Sequence, residues 1–128
     1  MRIVKFAFVV AVLSLTACAA SSERASVEER LAELGLQRAG QDSAAIPRYR
    51  INGWTYLNDE HIVITAGVND RYLLELQRGC FDLRSSFSIA FQTATSRVDR
   101  FGRIVYRSRI AGTQTCRILN IVELSRVG

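Results

Sequence analysis

Few residues in this chain are of a type and spacing that could do chemistry. The single histidine, His61, follows Asp59 and Glu60, and an imidazole beside carboxylates is the least that proton transfer at neutral pH requires. A serine nucleophile would have only His61 as its base, and no G-x-S-x-G turn marks one. Asp59 with Glu60, or Asp70 with Asp82, could act as paired carboxylates. Acids clustered in turns are nevertheless accounted for by turn geometry and solubility, and a lone histidine at a turn-to-strand junction reads as solvent-facing. The three cysteines, Cys18, Cys80 and Cys116, show neither a C-x-x-C spacing nor neighbouring histidines, so no metal site is expected. No catalytic residue and no cofactor are expected.

Binding residues are easier to name. Arg103, Arg107 and Arg109 fall at alternating positions, so on an extended strand they share one face and could meet several anionic groups at once. The rival reading is a charged outer face that discourages edge-to-edge pairing. Trp54 and Tyr56 also share a face, either as an aromatic platform for a ligand or, as strand aromatics more often do, as part of a core.

Residues 1–17 read as a lipoprotein signal with no reason to exist in a folded domain. Arg2 and Lys5 precede an unbroken apolar run, Phe6 to Leu13, and small residues lead to Cys18. That is the layout of a secretory signal, too short for a permanent membrane span. Leu15-Thr16-Ala17-Cys18 looks like a bacterial lipobox, at which the cysteine becomes the new N-terminus and carries three fatty chains. Each buried methylene contributes about 0.8 kcal/mol, so several chains together anchor effectively for good. Ala19, rather than an aspartate, follows the cysteine, which implies the outer membrane, facing the periplasm. Ala17-Cys18-Ala19 also fits ordinary signal cleavage, which would discard the cysteine and release a soluble product.

Signal removal leaves 111 residues, enough for one small domain. In an oxidising compartment Cys80 and Cys116 read as a disulfide, worth about 3–4.5 kcal/mol in the chain-entropy model. Seventeen basic residues, less Arg2 and Lys5, leave fifteen, all arginine, against twelve acidic ones. Residues 97–128 hold seven arginines against Asp99 and Glu123, while residues 19–96 are net negative by two. Nucleic acid is not a partner expected of a periplasmic protein. Anionic lipid headgroups or an acidic envelope protein are, although the arginine content also fits a simple compositional bias.

The elements that must position these residues follow from periodicity. Ala19 to Ala25 reads as a tether. Ser26 and Glu29 read as a capping box, and Val27, Leu31 and Leu34 as the stripe of a short helix ended by Gly35. Gln37 to Ala45 reads as irregular, with Pro47 closing residues 18–47 and a β-domain occupying 48–128. The spacing predicts strands over Ile51 to Leu57, His61 to Ala66, Arg71 to Arg78, around Phe87, Ile89 and Phe91, over Arg103 to Ile110, and over Cys116 to Leu124. Turns fall at Asn58 to Glu60, Gly67 to Asp70 and, as a hairpin, Asp99 to Gly102. Phe87, Ile89 and Phe91 are expected inside, and Leu119, Ile121 and Val122 suggest a last strand covered on both faces. The fold expected is mainly β, a small antiparallel barrel or sandwich of about six strands preceded by one short helix.

Trp54, Arg71-Tyr72-Leu73-Leu74-Glu75-Leu76, Cys80-Phe81-Asp82-Leu83, Ile89, and Cys116-Arg117-Ile118 with Ile121 and Leu124 together resemble a family of small, uncharacterised proteobacterial lipoproteins. The shared pattern spans roughly Ile51 to Leu124 plus the lipobox. It implies a compact periplasmic domain on a lipid anchor and carries over no catalytic residue. The leading expectation is therefore a non-enzymatic outer-membrane lipoprotein that binds an envelope protein or anionic component. The alternative is a carrier of a small ligand in a barrel interior near Trp54 and Tyr56. Oligomeric state cannot be read from the sequence.

Overall fold

Apolar alternation from Ile51 onward builds most of the molecule. The computed structural model describes residues 19–40 and 42–127, with side chains from Ser26 onward; the expected signal segment and Cys18 lie outside the described residues. Helix α1 spans Ala19–Glu33, and the strands are β1 (Leu36–Arg38), β2 (Ile46–Pro47), β3 (Ile51–Asn58), β4 (His61–Ala66), β5 (Asp70–Leu76), β6 (Ile89–Gln92), β7 (Arg97–Val98), β8 (Arg103–Ser108) and β9 (Gly112–Arg126). The principal sheet is antiparallel, in the order β3-β4-β5-β9-β8-β6, and curls into a half-barrel. β1 adds to the far end of β9, and β2 pairs with β7 apart from it.

The strands agree with the alternation, while the segment before Pro47 departs from it. Ser26 is not an N-cap: α1 begins seven residues earlier, because Ala19, Ala20, Glu23, Arg24 and Ala25 are mostly strong helix formers that continue the helix upstream. Gly35 does end it, at φ +73°. Gln37 to Ala45, expected to be irregular, begins inside a strand, β1. β9 has a second edge beyond the reach of β8, and its backbone groups need partners. β1 supplies some, and the amides of Ala39 and Ala44 donate to Glu123 and Ile121 at 2.9 and 3.0 Å.

Two cores result. Inside the curl, Ile62, Ile64, Leu74, Ile104, Ile118 and Ile121 pack together with Ile46 and Leu83. On the outer face, Val27 and Leu31 of α1 cover Leu57, Val63, Leu73, Val122 and Leu124. β4 is thus buried on both sides, with Ile62, Val63 and Ile64 in succession inaccessible. β9 is covered on both sides only in its second half. A bulge lies where Leu76 opposes Ile118 but Glu75 opposes Asn120. Leu119 is the extra residue and is half-exposed, against the expectation that it packs. The bulge also moves the inward set from Cys116 and Ile118 to Ile121.

Three further expectations change. Phe87 is 83% exposed because it precedes β6, and only Ile89 and Phe91 turn toward the core. Arg109 and Ile110 lie beyond β8, in the turn to β9. Asp99 to Gly102 does turn, with the Gly102 amide donating to the Asp99 carbonyl at 3.0 Å, but it joins β7 to β8 rather than closing a hairpin. Cys80 and Cys116 are disulfide-bonded, their Cα atoms 5.8 Å apart, which ties the loop after β5 to β9.

Candidate functional site

The turn between β3 and β4 places Asp59, Glu60 and His61 around one hollow with Ser26 and Asn58. Asn58 Oδ1 accepts from the Glu60 amide at 2.8 Å and lies 3.0 Å from His61 Nδ1. Asp59 accepts the Tyr56 hydroxyl at 2.9 Å, and Glu60 lies 3.8 Å from Arg78. Burial, and then that bond to Asp59, push the Tyr56 phenol up to about 12. Asp70 and Asp82 are not brought together. Asp70 opens β5 and pairs with Arg50 at 2.6 Å, whereas Asp82 lies in the loop past the strand's other end. Among the described residues no group of three or more histidine, cysteine, aspartate or glutamate side chains could hold a metal, and no helix is long and apolar enough to cross a membrane.

Asp82 anchors a cluster that sequence reasoning missed. Its Oδ2 accepts the hydroxyls of Ser85 at 2.5 Å and Ser108 at 2.8 Å. Those two bonds, Ser85's first, hold its carboxyl below the usual range. Ser108 Oγ in turn accepts the amides of Ile110 and Ala111, and Tyr106 donates its hydroxyl to the Phe81 carbonyl at 2.8 Å. The loop 80–86 is thereby fastened to the turn joining β8 and β9. No periodic signal runs through that loop, and a serine's partner 26 residues distant leaves no local trace.

The arginines divide. Arg103 and Arg107 share the outer face of β8, as their spacing requires, and Arg103 stands directly opposite Arg117 of β9. Arg117 was legible, since it follows the inward Cys116 and must face out. Like charges directly opposed on a sheet destabilise it. Among the described residues the ion pairs involve Arg38, Arg50 and Arg78, and none reaches Arg103, Arg107, Arg109 or Arg117. Arg109 instead lies over the Phe87 ring, 4.9 Å from its centroid.

Trp54 and Tyr56 both pack against the inner core while remaining partly exposed. Beside Trp54 the half-barrel stays open. β3 and β6 are its two terminal strands, and between them runs a groove of about 300 Å³, with Ile51, Trp54 and Ile64 on one side and Phe87, Ile89 and Phe91 on the other. Asn52, a polar residue of its wall, has its amide engaged with the Gly67 carbonyl at 2.8 Å. With Ser88 as the other polar side chain on its wall, the groove is lined mainly by apolar residues, open to solvent and bordered by strand edges that have further backbone groups to offer.

No curated protein and no solved structure matches this chain. One family model does, over residues 1–127, so the match includes the segment before Pro47 as well as the half-barrel. The chain belongs to that family, DUF6491, a family of unknown function.

Proposed function

We propose that this chain is a non-enzymatic lipoprotein of the bacterial envelope, held at the periplasmic face of the outer membrane by acyl chains on Cys18, and that it works by binding an extended segment of another envelope protein. One observation carries the binding: the sheet stops short of closure, and its two terminal strands flank an apolar groove. An added strand would satisfy an edge with main-chain hydrogen bonds and place alternate side chains against Trp54 and Phe91. The anchor rests on the lipobox and the apolar run before it.

Photo-crosslinking groups at Asn52 and Ser88, both on the groove, and at Glu33 on the exposed face of α1 test this in cells. One discrete envelope-protein adduct from the two groove positions and none from Glu33 is the expected result; equal adducts from all three would refute docking at the seam. Cys18→Ala should move the protein from the membrane to the soluble periplasmic fraction. A variant that still pellets with membranes would show that acylation is not what holds it.

The groove's size favours one second reading. About 300 Å³ is at the lower end for a small-molecule site, so an apolar ligand could lie beside Trp54. Native mass spectrometry of protein recovered from its own envelope separates the two, since a carrier would arrive with a bound small molecule.

A further inference from the structure

The end of the half-barrel where β3 turns into β4 combines features that, Phe87 apart, the groove does not use. Asn58 to His61 lie against Ser26 of α1, while Leu34 and Leu36 lie beside Thr65 and Arg126 at the other end. Residues 19–25, helical in backbone, thus continue past the β3–β4 turn, so that Ala19, where the described residues begin, lies at that end. The loop after β5 and the β8–β9 turn meet at this same end, fastened through Asp82, Ser108 and Tyr106. Together they expose Phe81, Phe87 and Ile110, at 54, 83 and 77%. Arg84, Arg107 and Arg109 stand exposed among them.

We propose that this end is a membrane-contact surface that recognises the phosphate of anionic lipid headgroups; the proposal rests on the lipid-anchored reading above. Two adjoining hollows of about 300 and 410 Å³ are lined by these arginines and by Ser85, Ser86 and Phe87, with Asp82 also on the wall of the second. Guanidinium forks are the donors that phosphate oxygens require; the Ser85 and Ser86 hydroxyls are already given to Asp82 and to the Ser88 carbonyl, so the arginines carry the recognition. Large apolar side chains interspersed with arginine suit the headgroup layer, where one part of a surface is dry and the other charged. Of the nearby acids, Asp59 accepts from Tyr56 and Glu60 faces Arg78, while Asp82, which borders the second hollow and interacts with Arg109, offsets one of the three arginine charges and leaves the surface net positive. An acyl chain fixes one point of the protein, and this surface fixes its orientation, turning the open seam along β3 and β6 sideways to the bilayer rather than into it.

The test uses the full chain carrying Cys18→Ala, mixed with phosphatidylglycerol vesicles and, separately, phosphatidylcholine vesicles. Tighter sedimentation with the anionic vesicles, falling as salt is raised, is expected. Replacing Arg84, Arg107 and Arg109 together by Gln should weaken that preference roughly a hundredfold. Phe87→Ser with Ile110→Ser should weaken sedimentation with both vesicle types. All five side chains are exposed, so the melting curves of both variants should match the parent's. Equal affinity for the two vesicle types, or a Gln variant that keeps the preference, overturns the proposal. So does charge-dependent capture by polyglutamate with no preference for anionic vesicles, which would assign the surface to an acidic protein. The mass of the natural N-terminus settles acylation separately. An acylated chain with an indifferent arginine surface defeats only this proposal, and an unacylated one defeats the anchor while the vesicle result stands.

Discussion

Asp82 shows how much of the β8–β9 turn depends on a single carboxylate. It sits in the left-handed region at φ 55°, which aspartate tolerates better than most residues, and its lowered pKa comes first from Ser85 and then from Ser108. A carboxyl whose folded pKa lies below its unfolded value adds stability above that unfolded value, near 3.9. The contribution is lost as pH falls through the folded pKa. Acid should therefore loosen the turn, seen as movement of the Ile110 and Ala111 amide resonances below about pH 4, and Asp82→Asn should abolish that movement. Gly67 offers a second test. Its φ is +58°, and a Cβ there would come 2.6 Å from the Arg50 guanidinium that pairs with Asp70. Gly67→Ala should cost about 1–2 kcal/mol in urea titration from the left-handed backbone alone.

Among the elements, α1 rests on the sheet through Val27 and Leu31, not through its whole expected stripe. Leu31 is inaccessible and Leu34 is 47% exposed. Leu31→Ala should lower stability by about 2–5 kcal/mol, and Leu34→Ala by no more than about 0.5 kcal/mol, both measured by denaturant unfolding. The strands from β3 onward, the two-residue β7 excepted, were legible because alternation is a local property: Ile62 with Ile64, and Leu74 with Leu76, face one way whatever their partners. The second core was not legible from the same residues. Val63 and Leu73 occupy the opposite phase, and only α1, arriving from far along the chain, explains why they are apolar. β1 left no trace in its three residues, since β9's unpaired edge supplies the reason for it. Of the candidate binding residues, Arg103 and Arg107 were legible as strand neighbours. Arg109 was displaced because a strand's end is set by the Ser108 hydrogen bonds, and the alternation itself carries on past it.

At the scale of the molecule, a half-barrel with two edges left open relies on a covalent tie. The disulfide closes a loop of 36 residues, and cleaving it should destabilise the fold by roughly 4 kcal/mol, read as a lower melting temperature in reductant or in a Cys80→Ala, Cys116→Ala double variant. The curvature has another source as well. Leu119 is the supernumerary residue of β9, lodged where the strand passes from β8 to β5. Because it is supernumerary, a chain lacking it would keep Ile118 facing in, Asn120 out and Ile121 in. The hydrophobic pattern would survive intact while the local kink relaxed. The bend that separates the two outermost strands thus owes part of its angle to one inserted residue in mid-sheet, and a chain shortened at that position should hold the mouth at a different aperture.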